Sequence, residues 1–131
     1  MLKTERDIYE EVAAASPAGG HWTRIESPVS PGVADTFYCY GGRQTWIEFK
    51  VFPRGLRRSQ AGWAAKLIKA GGRYAVIFGR TSGARIWLWG KMLSIPDVAP
   101  LVKRVSEEDL RGWHHAEDRY VIGAMLRDMG L

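Results

Sequence analysis

"GVADTFYCYGGRQTWIEFK", from Gly32 to Lys50, is the stretch on which the fold turns. Two runs rich in aromatic and β-branched residues, DTFYCY and RQTWIEFKVF, flank Gly41-Gly42, and such runs around a two-glycine turn predict a β-hairpin. If the glycines are the turn, Tyr40 faces Arg43, and stepping back in register sets Asp35 opposite Glu48. Lys50 then shares a face with Glu48, two residues along. Facing carboxylates destabilise a strand pair by a few tenths to about 1 kcal/mol unless something positive sits between them. The pattern asks for a cation.

Magnesium suits that request. Opposed side chains have Cβ atoms about 4.5–5.5 Å apart, so two carboxylates can share an ion with bonds of about 2.0–2.1 Å. The backbone carbonyl of Phe49 and waters would complete its octahedron. Lys50 would stand beside the attacking water, where it can orient the nucleophile or help deprotonate it and offset charge on a phosphate. Phosphodiester hydrolysis is the chemistry such a set supports. The plainer account is an exposed Glu48–Lys50 pair with Asp35 capping the loop before it.

Outward from the hairpin, Thr4 and Glu5 followed by Ile8, Tyr9, Val12 and Ala13 at helical spacing predict an amphipathic first helix that ends before Pro17. His21 to Ile25 reads as a short strand, and Ser27-Pro28 to Pro31-Gly32 as a loop. Gln60, Trp63, Ala64, Leu67 and Ile68 place a second helix over Ser59–Ala70, stopped by Gly71-Gly72. RYAVIFGR and RIWLWG read as two further strands turning at Gly83. Pro96 to Val105 is expected to be a short helix. Ser106 with Glu107, Glu108 and Asp109 resembles the capping start of a last helix running through RYVIGAMLRDMGL to the end. The expected order is α-β-β-β-α-β-β-α-α, an α/β sheet flanked by helices, in one domain spanning residues 1–131.

Of the 131 residues 46% are hydrophobic and six are tryptophan, enough for one sizeable core. No apolar run reaches about 18 residues, and the start, MLKTERDIYEEV, is too charged for a signal peptide, so a soluble, cytoplasmic protein without a membrane partner is expected. A single cysteine, Cys39, excludes an intrachain disulfide and a cysteine-based zinc cluster, and reads as a small apolar strand residue. The net charge is +5 and unevenly spread: ten Lys and Arg, and no acid, lie between Glu48 and Asp97. One-signed fields serve to attract a polyanion, and nucleic acid leads. Arg54, Arg57 and Arg58, with Lys66 and Lys69 on the helix after them, are the expected nucleic-acid-binding residues.

Asp35, then Glu48-Phe49-Lys50 on the next strand, then a helix carrying Gln60, resembles the PD-(D/E)XK nuclease superfamily, and within it the VRR-NUC group and similar small phage-type endonucleases. The resemblance implies a restriction-endonuclease-like core, with a mixed central β-sheet flanked by α-helices. It implies magnesium, with manganese as a substitute, held by Asp35, Glu48 and the Phe49 carbonyl, Lys50 assisting the attacking water, and Gln60 supporting the site. The VRR-NUC pattern adds a glutamate on the first helix near the metal; Glu5 is preferred, with Glu10 or Glu11 next. The match covers roughly the first 80 residues and departs at Ala34, where the family has proline. Proline supplies backbone shape and no ligand atom. Stand-alone chains of this kind resemble Holliday junction resolvases that act as symmetric dimers, so branched DNA as substrate and a homodimer are what the resemblance implies.

The rival class is a non-catalytic nucleic-acid-binding protein that keeps the fold and its basic groove. A nucleic-acid mimic would be acidic, which this chain is not. Among other residues, Trp63 is expected in the core, and Trp87 and Trp89, on one strand face, are expected to pack under a helix. Glu26 is a candidate to touch the site through water. His114, His115, Glu117 and Asp118 invite a zinc reading but lack a suitably spaced third ligand, and are assigned to a polar helix end.

Overall fold

The computed structural model describes residues 4–25 and 31–131; Glu26 and most of the loop expected from Ser27 to Gly32 lie outside the described residues. The hairpin is there in the expected register. Strand β2 (Thr36–Tyr40) pairs antiparallel with β3 (Arg43–Val51), from Tyr40 opposite Arg43 to Thr36 opposite Ile47. Gly41 and Gly42 both have positive φ, +59° and +77°, which a two-residue turn of this hand requires and a residue with a Cβ resists.

Six strands form one sheet in the order of the chain. β1 (His21–Arg24) pairs with β2, β4 (Tyr74–Ser82) lies parallel to β3, and β5 (Arg85–Met92) and β6 (His114–Ala116) continue antiparallel. Helix α1 (Glu5–Ala15), started by a Thr4–Asp7 capping box, and α4 (Ile122–Asp128) cover one face. Helix α2 (Arg58–Lys69), which carries the chain from β3 to its parallel neighbour β4, covers the other with α3 (Ile95–Val98).

Alternation along β3 feeds both layers. Ile47 and Phe49 enter the core under α1 with Ile8, Val12, Ile77, Leu88 and Met125. Trp46 joins the opposite core under α2, with Ala64, Tyr74, Val76, Phe78 and Leu101, and Trp63 packs edge-on against it at 5.2 Å. Strand β4 is central, and Tyr74 to Phe78 are wholly buried, as its unbroken apolar run predicts. Among the described residues no helix is long and apolar enough to cross a membrane.

The last quarter differs from the expectation. The helix expected over Pro96–Val105 is the single turn of α3 followed by a 3-10 turn at Ala99–Leu101. Ser106 and Asp109 do cap each other, yet the helix they start is only a 3-10 turn at Glu108–Leu110. Gly112, at φ +84°, then redirects the chain, and His114–Ala116 pairs with the open edge of β5. His114 and His115 are therefore strand residues and not a polar helix end: edge hydrogen bonds outweigh weak helix propensity. Trp89 joins the core under α2 and α3, whereas Trp87 does not enter it. They lie side by side, half-buried, under the Arg80 guanidinium, which reaches Glu107 at 2.7 Å.

Candidate active site

The site is built where β2 stops and β3 continues. The β2–β3 ladder ends at Thr36 opposite Ile47, so the next residues in register are Asp35 and Glu48. Asp35 is fixed by its backbone, whose carbonyl accepts from the Ile25 N–H at 2.8 Å, and by its side chain, which accepts from the Thr36 hydroxyl at 3.1 Å. The amides of Trp46 and Phe52 bond toward β4 (to Arg73 O and Gly79 O), so by alternation the backbone of Phe49 faces the other edge, which β2 has vacated. Phe49 itself is fully buried and does not line the cavity that the two acids share.

Glu48 and Lys50 are 3% and 4% exposed, which removes the plainer account of a solvated surface pair. Burial pushes the Glu48 carboxyl up to about 9, and the neighbouring Asp35 adds to the rise while Lys50 opposes it. Asp35 is also pushed above its ordinary range by burial, against the pull of Arg24. Two acids this close and this dry must either share a proton or have a cation between them. One oxygen of the pair, Glu48 Oε1, is buried with no hydrogen-bond partner among the described residues.

Lys50 points into the same cavity, and burial pushes its amine below the ordinary lysine range. Its Nζ donates to Gln60 Oε1 at 3.2 Å, and the same oxygen accepts from the Arg57 backbone N–H at 2.9 Å. Gln60 thus starts α2 and holds the lysine at once. Backbone packing keeps it there: a Cβ on Gly32, at φ +90°, would stand 2.1 Å from Ser59 O, so only glycine lets the loop before Asp35 press on the first turn of α2.

Glu5, Asp35, Glu48, Lys50, Arg54, Arg57 and Gln60 line one cavity of about 320 Å³. Glu10 and Glu11 are elsewhere, paired with Arg6 and Arg119, so of the three first-helix glutamates Glu5 alone faces it. Arg58, Lys66 and Lys69 do not line the cavity; they are exposed along α2. The cationic block divides the same way. Arg73, Arg80, Arg85 and Lys91 have partners within the fold, whereas Arg54, Arg57, Arg58, Lys66 and Lys69 have no ion pair among the described residues. Ala34 is fully buried and offers no ligand atom.

Sequence reading missed two neighbours. Arg24, at the end of β1, lowers the cost of charge on Asp35, but strand order is what brings it there. Tyr74, within the run read only as a strand, has a buried hydroxyl without a partner among the described residues, raised by burial and by Glu48 and Asp35. Its position at the start of an apolar strand gave no signal of that.

The oxygen set fits a hard divalent cation. Two carboxyls, one of them with a buried and unpartnered oxygen, suit magnesium or manganese better than softer metals. Among the described residues no three His, Cys, Asp or Glu side chains gather around one point, so Glu5 faces the cavity without closing a three-acid cage.

No family model matches the chain, and no curated protein matches it in sequence. Among solved structures it is similar to Hjc of Archaeoglobus fulgidus, a Holliday junction resolvase from an archaeal hyperthermophile, with a TM-score of 0.54 over 92% of this chain and 95% of that one. Identity is 17%. The likeness is one of fold: a mixed six-stranded sheet between helices, the restriction-endonuclease-like architecture. At 92% of this chain it reaches beyond the motif-bearing part into the last 50 residues.

Proposed function

We propose that this chain is a magnesium-dependent DNA endonuclease of the PD-(D/E)XK type, VRR-NUC-like in its motif, that nicks or cuts branched DNA. The observation that carries the reading is the Asp35–Glu48 pair, half-buried at Asp35 and buried at Glu48, with an orphaned Glu48 oxygen and Lys50 on the same face of one strand. Folding alone gains nothing from that arrangement. A fold shared with a Holliday junction resolvase supports the choice of substrate.

In this reading Asp35, Glu48 and the Phe49 carbonyl hold the ion. When bound, magnesium would polarise the scissile phosphate and make water a stronger nucleophile at neutral pH. Lys50, held by Gln60, orients the attacking water and offsets charge on the phosphate. Arg54 and Arg57 grip the strand at the cavity mouth, Arg58, Lys66 and Lys69 add attraction along α2, and Glu5 closes the cavity from α1. In-line attack leaves a 5′-phosphate. A homodimer would give the two sites needed to cut two strands.

The test is incubation of the full chain with a four-way junction, a flap, a duplex and single-stranded DNA, with and without magnesium, beside magnesium calorimetry. Cleavage of the branched forms in magnesium, and metal uptake lost in Asp35→Ala, are expected. Failure to cut any substrate, with calorimetric traces alike for wild type and Asp35→Ala, would leave the non-catalytic binder as the answer.

A further inference from the structure

The cavity holding the acids has a neighbour on the far side of Arg54. Arg54 and Gly55 also line a second cleft, of about 470 Å³, whose far wall is Val102, Lys103 and Arg104. The two cavities are neighbours that share these residues as lining. Three cations and no carboxylate line the second cleft.

Its far wall is fixed to the near one. The Leu56 N–H bonds Leu101 O and the Val105 N–H bonds Pro53 O, both at 2.8 Å, and Leu101 and Val105 are buried on either side of the cations. A Cβ on Gly55 would lie 1.9 Å from Lys103 O, so the backbones touch. The backbones that carry Lys103 and Arg104 are therefore held against the one that carries Arg54. Lys103 is paired with Asp109 at 3.0 Å in an exposed contact that solvent weakens. Arg104 is exposed and has no ion pair among the described residues. Nothing in the fold needs its charge.

We infer that this cleft is a second phosphate subsite, through which the DNA strand leaving the Asp35–Glu48 cavity runs, with Arg104 on the phosphodiester backbone and Lys103 turning from Asp109 to a neighbouring phosphate. A continuous polyanion is the ligand a cationic cleft adjoining such a site fits. The inference rests on the nuclease reading for the strand's presence in the first cavity. The 101–105 segment, which carries no motif, thereby gains a role.

The experiment measures binding of fluorescent junction and duplex DNA by anisotropy in EDTA, from about 50 mM to 200 mM salt, for the full chain, Arg104→Ala, Lys103→Gln/Arg104→Ala, and Arg127→Ala on α4 across the sheet. Each lost phosphate contact should flatten the log–log salt slope by about 0.7–0.9, so Arg104→Ala loses one such step, the double variant up to two, and Arg127→Ala none. Slopes for the cleft variants equal to that of Arg127→Ala overturn the subsite. Wild type that binds with the full slope but never cuts in magnesium sinks the nuclease reading and leaves the subsite standing. Wild type that does not bind sinks both. Because the altered side chains are exposed, thermal melts matching wild type show that the fold is intact.

Discussion

The two faces of β3 differ in what they do with burial. On the α1 face, Ile47 and Phe49 are wholly buried among aliphatic and aromatic neighbours, and the apolar area removed from water is pure gain. On the α2 face, Glu48 and Lys50 are almost as deeply buried, and there burial opposes their charges. A strand four residues longer than its hairpin partner makes this possible. The first face holds the sheet together, and the second carries a cost that only a ligand relieves.

Substitutions on neighbouring residues separate the two. Phe49→Ala should cost about 3–5 kcal/mol and unfold a small domain at moderate temperature, read by thermal melting. Glu48→Gln, one residue away, should leave the metal-free melting temperature at pH 7 equal or higher, while cleavage falls by about 10²–10³-fold or more. A Glu48→Gln protein that melts well below wild type would make the acid structural and erase the contrast.

The same contrast predicts a pH dependence. The folded pKa of Glu48, about 9, lies above its ordinary 4.5, so the folded form binds the proton more tightly. Its contribution is fully present below about 4.5 and is lost as pH rises through about 9 in metal-free buffer. The depressed Lys50 acts oppositely, returning part of this as pH nears its ordinary 10.5. Denaturant titrations at several pH values measure the slope, which magnesium should flatten and Glu48→Gln should remove.

Smaller effects follow outside the pair. Gln60→Ala takes the acceptor from both Lys50 and the Arg57 amide, so cleavage should drop about 10–100-fold with about 1 kcal/mol of stability. The Arg80–Glu107 pair lies at the surface, and Glu107→Ala should change stability by less than about 1 kcal/mol and cleavage not at all.

The local part of this protein was legible in its residues. Turn chemistry at Gly41-Gly42 pins a register, and period-two alternation then dictates which side chains share a face, so Asp35, Glu48 and Lys50 could be brought together from spacing alone. Helical period and caps likewise marked α1 and α2 to within a residue. Long-range pairing was not legible. Whether His114–Ala116 coils or pairs depends on a free β5 edge, whether Arg24 serves Asp35 depends on β1 lying beside β2, and whether Arg104 meets Arg54 depends on Gly55 touching Lys103. Such contacts join residues far apart in the chain, where neither period nor propensity acts. Sequence therefore determined which groups could do chemistry, and tertiary packing alone decided that they would be dry, because burial is a property of everything that surrounds a residue.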